Sequence, residues 1–266
     1  MFVPQHKEDL HWTLVLKSQI AQAMLEHVAE ASDSEVSIAT QPPVIDQISP
    51  EEPDITMLKL MIVLEDSSQG VGEVFEAIVN QSRLSMTEFA NCLQIINADL
   101  ASCTNVSSLQ NQLIPSNHAK EDLKNILTIL GGAHTLWNVG HVIYSKHYGE
   151  NSDSQDSEKI HKATLVYCIN EELPKLPCAK LAEYIQETFD QFFTPQAKKT
   201  AAETSPKLSN LMLRLSDFAT VVEGNTAMKG GEIGRLMNVW KRWAVISQGI
   251  KMDDRSIISP RINFWR

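Results

Sequence analysis

Asp9, Asp99 and Glu232 stand in three recognisable settings, Lys7-Glu8-Asp9-Leu10-His11-Trp12, Ile96-Asn97-Ala98-Asp99-Leu100 and Gly230-Gly231-Glu232. Carboxylates drawn from distant parts of a chain, with His11 as an auxiliary ligand, are the donor set that hydrolysis with two divalent ions about 3.5–4 Å apart requires. Mg²⁺ or Mn²⁺ would be the cofactor only under that chemistry; otherwise none is expected. Each acid also has a plainer use. Asp9 and Glu232 can complement the positive end of a helix, and Asp99 can lie on a solvated helix face.

A second concentration of chemistry is residues 130–149, LGGAHTLWNVGHVIYSKHYG. At about 100° per residue, His134, Asn138, His141 and Ser145 fall within an arc of roughly 60°, a polar stripe flanked by Trp137. The remaining two-thirds or so of the circumference, Trp137 included, is apolar, which predicts a largely enclosed helix; the polar stripe faces a solvent slit or is met by neighbouring backbone, or else it lines a binding groove at His134, Asn138 and His141, with Trp137 as a further binding candidate beside it. A metal site is not expected: histidines seven apart are separated by about 10.5 Å along a helix, whereas helical zinc pairs use i, i+4 spacing. A third set, Arg235, Asn238 and Arg242, shares a different face of the last helical segment from Leu236, Val239, Trp240, Trp243, Ile246 and Ile250. Arg235 and Arg242 are therefore candidates for a partner contact. With Lys241 and Lys251 they would be the bases of a nucleic-acid contact.

These residues need elements to position them. Residues 8–30 have helical spacing of Leu10, Leu14, Ile20, Met24 and Val28, with acids at the start. Residues 31–54 are acidic and proline-rich and predict a disordered loop. Ile55 to Leu64 reads equally as helix or buried strand. Val71 to Gln81 reads as helix, and the Ser85-Met86-Thr87-Glu88 capping box opens a helix running towards Ala101. Ser116 precedes an amphipathic run into the histidine stretch. Residues 151–157 form a polar loop. Helices follow over about 158–173, from Pro177 to near Phe193, over 207–222 and over 232–250, with a polar linker at 194–206. The fold class is mainly α, an irregular multi-helix arrangement read as a single domain over 1–266 and a fragment of a larger one.

Composition narrows the function. Thirty-three acids against 23 bases give a formal charge of -10, which disfavours coating of nucleic acid or anionic lipid. The longest apolar run, Leu60 to Leu64, is far short of the roughly 20 residues that span a bilayer, and no signal-peptide pattern opens the chain. An intracellular protein, cytoplasmic or nuclear, is the expectation. The four cysteines lack CxxC spacing and predict reduced, buried thiols.

The LGGAHTLWNVGHVIYSKHYG stretch resembles a domain family of unknown function expanded in mushroom-forming fungi. VPQHKEDLHW (3–12), INADLAS (96–102) and GGEIGRLMNVWKRWAVISQGIK (230–251) resemble further segments of it, in order. Where the family tends to have Gly-Asp before Leu-His this chain has Glu8-Asp9, and where it tends to have Glu-Gly-Asp it has Gly230-Gly231-Glu232. The resemblance implies a transposon-derived protein with a ribonuclease-H-like core whose early strands would precede this sequence. Two functions follow as expectations: a non-catalytic structural or interaction module with an unknown protein partner, or part of a metal-dependent nuclease or transposase.

Overall fold

The computed structural model of the chain describes residues 3–33, 37–63, 66–114, 122–149, 157–169, 173 and 175–249. Ser116, most of the 151–157 loop, Ile250 and Lys251 lie outside these. The described residues divide into two compact units, 3–49 with 136–249 and 50–135.

The first unit is built from α1 (His6–His27), the larger part of α5 (Gly132–Tyr148), α6 (Ser157–Ile169), α7 (Cys178–Phe192), α8 (Pro195–Thr204), α9 (Pro206–Lys229) and α10 (Ile233–Gly249). Its main core joins Leu16, Ile20 and Met24 of α1 to Leu165 of α6, Ile185 and Phe192 of α7, and Met212, Leu215 and Ala219 of α9. A second core brings Val139, Ile143 and Tyr144 of α5 onto Phe218 and Val221 of α9 and Val239 and Trp243 of α10. Full burial of each large apolar side chain contributes about 1.5–3 kcal/mol, so these two clusters fix the helix arrangement. Leu10 and Leu14, placed by their spacing on the buried face of α1, are instead exposed, and Val15 and Leu16 turn inward.

The polar stretch 194–206 is a helix and not a linker. Thr194 accepts the amide of Ala197, Pro195 occupies the first helical turn and Ala201 is buried. Ser205 then caps α9 through Leu208, followed by Pro206. Both junctions pair a capping hydroxyl with a proline whose missing N–H costs nothing at a helix start.

The second unit holds α2 (Ser68–Ser82), α3 (Met86–Ala90), β1 (Gln94–Ala98), α4 (Leu100–Gln112) and β2 (Ile126–Leu130). β1 and β2 pair in parallel, Gln94 opposite Ile126 through Ala98 opposite Leu130, with α4 as the crossover. Val71, Phe75 and Val79 of α2, Phe89, Val106 of α4 and Ile126 form its core. The capping box at Ser85 is present, since Ser85 accepts the Glu88 amide and Glu88 accepts the Ser85 amide, but the helix stops at Ala90. Residues 94–98 pair as strand because their main-chain bonds are met by 126–130, a partner about 30 positions away that local periodicity cannot reveal. Residues 55–63 are neither helix nor buried strand. Lys59 donates its amide to Gln81 Oε1 and accepts from Gln81 Nε2, and Leu60 and Ile62 are almost wholly exposed.

Among the described residues the cysteines are free; Cys103 and Cys178 are buried, while Cys92 is exposed. No described helix is long and apolar enough to cross a membrane.

Candidate functional site

Residues 3–12 and 230–249, far apart in sequence, meet at the start of α1. Gln5 donates its amide to Glu8 Oε2 at 2.7 Å. The other oxygen of Glu8 receives Lys241 Nζ of α10. Burial would raise the Glu8 carboxyl, but the Lys241 hydrogen bond and charge and the Gln5 amide outweigh it and hold the group below the ordinary carboxylate range. The next residue of α10, Arg242, donates to Asp9 Oδ1 at 2.8 Å and to the Glu8 carbonyl at 3.3 Å. Its guanidinium carbon also lies 4.5 Å from the centre of the Trp12 ring. Arg242 is thus a strut between two helices, with Trp12 beneath it.

Beside this strut lies a cleft of about 400 Å³, lined by Lys7, Glu8 and His11 of α1, Ile45 and Asp46, and Ile233, Gly234, Met237 and Asn238 at the start of α10. One wall belongs to the acidic stretch expected to be disordered. Residues 43–48 run against the turn between α9 and α10, and Gln47 bridges Glu232 in antiparallel fashion. Glu232 is buried, and its Oε2 accepts the Ile45 amide at 3.3 Å. His11 Nε2 lies 3.0 Å from the Pro43 carbonyl.

The three acids with metal-binding potential therefore have other partners. Asp9 is held by Arg242, and Glu232 holds a main-chain amide. Asp99 belongs to the second unit, where it is the N-cap of α4 and its Oδ1 accepts the Ser102 amide at 2.7 Å. That hydrogen bond, aided by the nearby His134 ring, holds the Asp99 carboxyl below its usual range against a small opposing effect of burial. Its position is a helix cap and not the solvated helix face that the sequence suggested. Asp99→Ala is accordingly expected to destabilise the second unit by about 1 kcal/mol, and Asp99→Asn by much less, because an amide oxygen still caps. Denaturant titration of the three proteins checks this; equal midpoints would remove the cap from the account. Among the described residues, no group of three or more His, Cys, Asp or Glu side chains is placed to hold a metal ion.

The histidine stretch forms α5 as expected, but it is not enclosed. It buries Val139, Val142, Ile143 and Tyr144. His134 and His141 are exposed, Asn138 is half-buried, and Trp137, assigned by the sequence to the apolar arc, is 71% exposed. The burial is one-sided because α9 and α10 cover a single face. The sequence did not single out His147 of α5, whose Nε2 lies 2.9 Å from Asp217 of α9, with Lys146 at 3.4 Å from the same oxygen.

Arg235 is not available to a partner. Its Nε and Nη2 donate to Glu223 Oε1 and Oε2 of α9 at 2.7 and 2.9 Å, and both residues are buried. Glu223 escaped notice because nothing local marks an acid twelve positions upstream as facing this arginine.

No curated protein and no solved structure matches the chain. A family model covers residues 1–177 and 167–252, which take in all four segments singled out above: the chain belongs to the family of unknown function DUF6589.

Proposed function

We propose that this chain is a non-catalytic structural or interaction module, part of a transposon-related fungal protein that acts inside the cell through a protein partner. One observation carries the non-catalytic reading: Asp9, Asp99 and Glu232 each commit a carboxylate oxygen, to Arg242, to a helix cap and to a main-chain amide respectively. Two-metal hydrolysis instead needs several carboxylates aimed at a common point. The fungal and transposon origin rests on the resemblance of the segments at 3–12, 96–102, 130–149 and 230–251. The net charge of -10 argues for protein over nucleic acid as partner.

The alternative is part of a ribonuclease-H-like nuclease or transposase using Mg²⁺ or Mn²⁺, and one feature favours it. Glu8 and His11, from the segment containing Asp9, line the same cleft as Ile233 and Gly234, which follow Glu232. Incubation of the protein with supercoiled DNA and Mg²⁺ or Mn²⁺ decides between them. We expect no nicking above the metal-only control. Nicking that disappears in both Asp9→Asn and Glu232→Gln would overturn the non-catalytic reading.

A further inference from the structure

We propose that the turn between α9 and α10, with the first turns of α1, is a groove for an extended peptide, and that residues 43–48 occupy it as the chain's own ligand. The contacts are those by which a groove holds a strand. Ile48 donates its amide to the Gly231 carbonyl at 2.8 Å, and the Asp46 carbonyl accepts the Gly234 amide at 3.2 Å. Gln47 Nε2 donates to the Gly230 carbonyl at 3.0 Å, the Ile45 amide donates to Glu232 Oε2, and the Pro43 carbonyl meets His11. Most of these partners are main-chain groups or a carboxylate receiving a main-chain N–H, so the groove recognises an extended backbone more than any one side chain.

The floor is shaped for such an approach. A Cβ on Gly234 would stand 2.8 Å from both Asp46 Cβ and Ile45 Cγ2, and one on Gly231, whose φ is +64°, would stand 2.9 Å from Ile48 Cγ1. Glycine inside the first turn of a helix costs stability relative to alanine, and here it makes room for the bound segment.

The occupant is partial and loosely held. Val44, Ile45 and Ile48 are 65%, 45% and 60% exposed, so little apolar area anchors the segment. The cleft of about 400 Å³ beside Ile45 and Asp46 stays unfilled. A peptide with the same proline–aliphatic–aliphatic–acid order and a larger side chain facing that cleft would make the same main-chain bonds and fill the space. Such a peptide, from another protein, is the partner this groove fits. Its competitor is tethered in cis, at an effective concentration in the millimolar range.

This inference builds on the interaction reading, but the test separates the two. The probe is a synthetic peptide of residues 41–49, Gln-Pro-Pro-Val-Ile-Asp-Gln-Ile-Ser, with the reversed sequence as control. The intact chain is compared with a chain in which residues 43–48 are replaced by glycine and serine at the same length. Removing the competitor should tighten peptide binding at least tenfold. Adding Gly234→Ala to the replaced chain should abolish binding with helical content retained. In the intact chain, the Ile48 and Gly234 amides should exchange hydrogen well before the buried α9 amides, which needs no variant to fold. The groove is overturned if the folded, replaced chain fails to bind, if the reversed peptide binds equally, or if those amides open only with the core. A dimer of the intact chain lost on Gly234→Ala would give the site to a second copy and overturn the foreign peptide. DNA nicking with peptide binding intact would sink the interaction reading and leave the groove standing.

Discussion

Replacing Glu223 by Gln, or Arg235 by Met, is expected to destabilise the first unit by about 3–5 kcal/mol, while replacing both with apolar residues of similar volume should recover most of the loss. The pair is buried on both sides and doubly hydrogen-bonded across α9 and α10. Desolvating two charges costs as much as their attraction returns, so the intact pair adds little net stability. Deleting one member strands the other charge away from water, and this is the large term. Urea midpoints of the wild type, the Glu223→Leu and Arg235→Met single variants and the double variant that combines them form a cycle that reads the coupling directly. Single losses under 1 kcal/mol would mean that water reaches the pair. Because Arg235 is consumed here, Arg235→Met should leave peptide capture at the α9–α10 turn unchanged in whatever fraction remains folded.

The second large effect is a loss of stability in mild acid caused by His161. This α6 residue is 2% exposed, and burial alone pushes its imidazole down to about 3 from the ordinary 6.5. Its Nε2 lies 3.0 Å from Gln19 Oε1, and the Gln19 amide nitrogen donates to the Ala219 carbonyl. That chain leaves Gln19 Oε1 as an acceptor, so Nε2 carries the proton. Nδ1 is buried without a hydrogen-bond partner. Between pH 6.5 and about 3 the unfolded chain binds a proton that the folded chain refuses, so stability rises with pH through this window. The contribution is complete above 6.5 and falls on acidification, by about 2 kcal/mol at pH 5 and about 5 kcal/mol below pH 3.

The carboxylates held below their usual range, Glu8, Glu26 and Asp99 among them, also favour stability at higher pH. Their contributions fade only once the pH falls through the normal carboxylate region, so the interval from 6.5 to 5 isolates the histidine. Denaturant midpoints at pH 7.5 and 5.0 should differ in the wild type and nearly coincide in His161→Gln, whose amide keeps a hydrogen bond to Gln19 without the proton. A wild type with equal midpoints, or a variant with the same acid slope, would place His161 in contact with solvent or an acid.

What the sequence determined by itself was the mainly helical class and most element starts. These are set by groups within a turn of each other: the Ser85–Glu88 box and the apolar spacing in α5 and α10. The Thr194-Pro195 signal was in the sequence, though its polar surroundings made the stretch read as a linker. Kinship was also legible, in the histidine-tryptophan block and the two segments that end at Trp12 and begin at Gly230.

Only the tertiary structure decided what the polar residues do. A carboxylate looks the same in sequence whether it caps α4, as Asp99 does, ties down Arg242, as Asp9 does, or receives a backbone amide, as Glu232 does. The difference lies in partners that are 3 residues away in the first case, 233 in the second and 187 in the third. The acidic, proline-rich stretch shows the same limit: its composition argued correctly that it cannot bury much apolar surface. Yet residues 43–48 are held by hydrogen bonds to glycines at a distant helix junction, and composition carries no record of where those main-chain groups point.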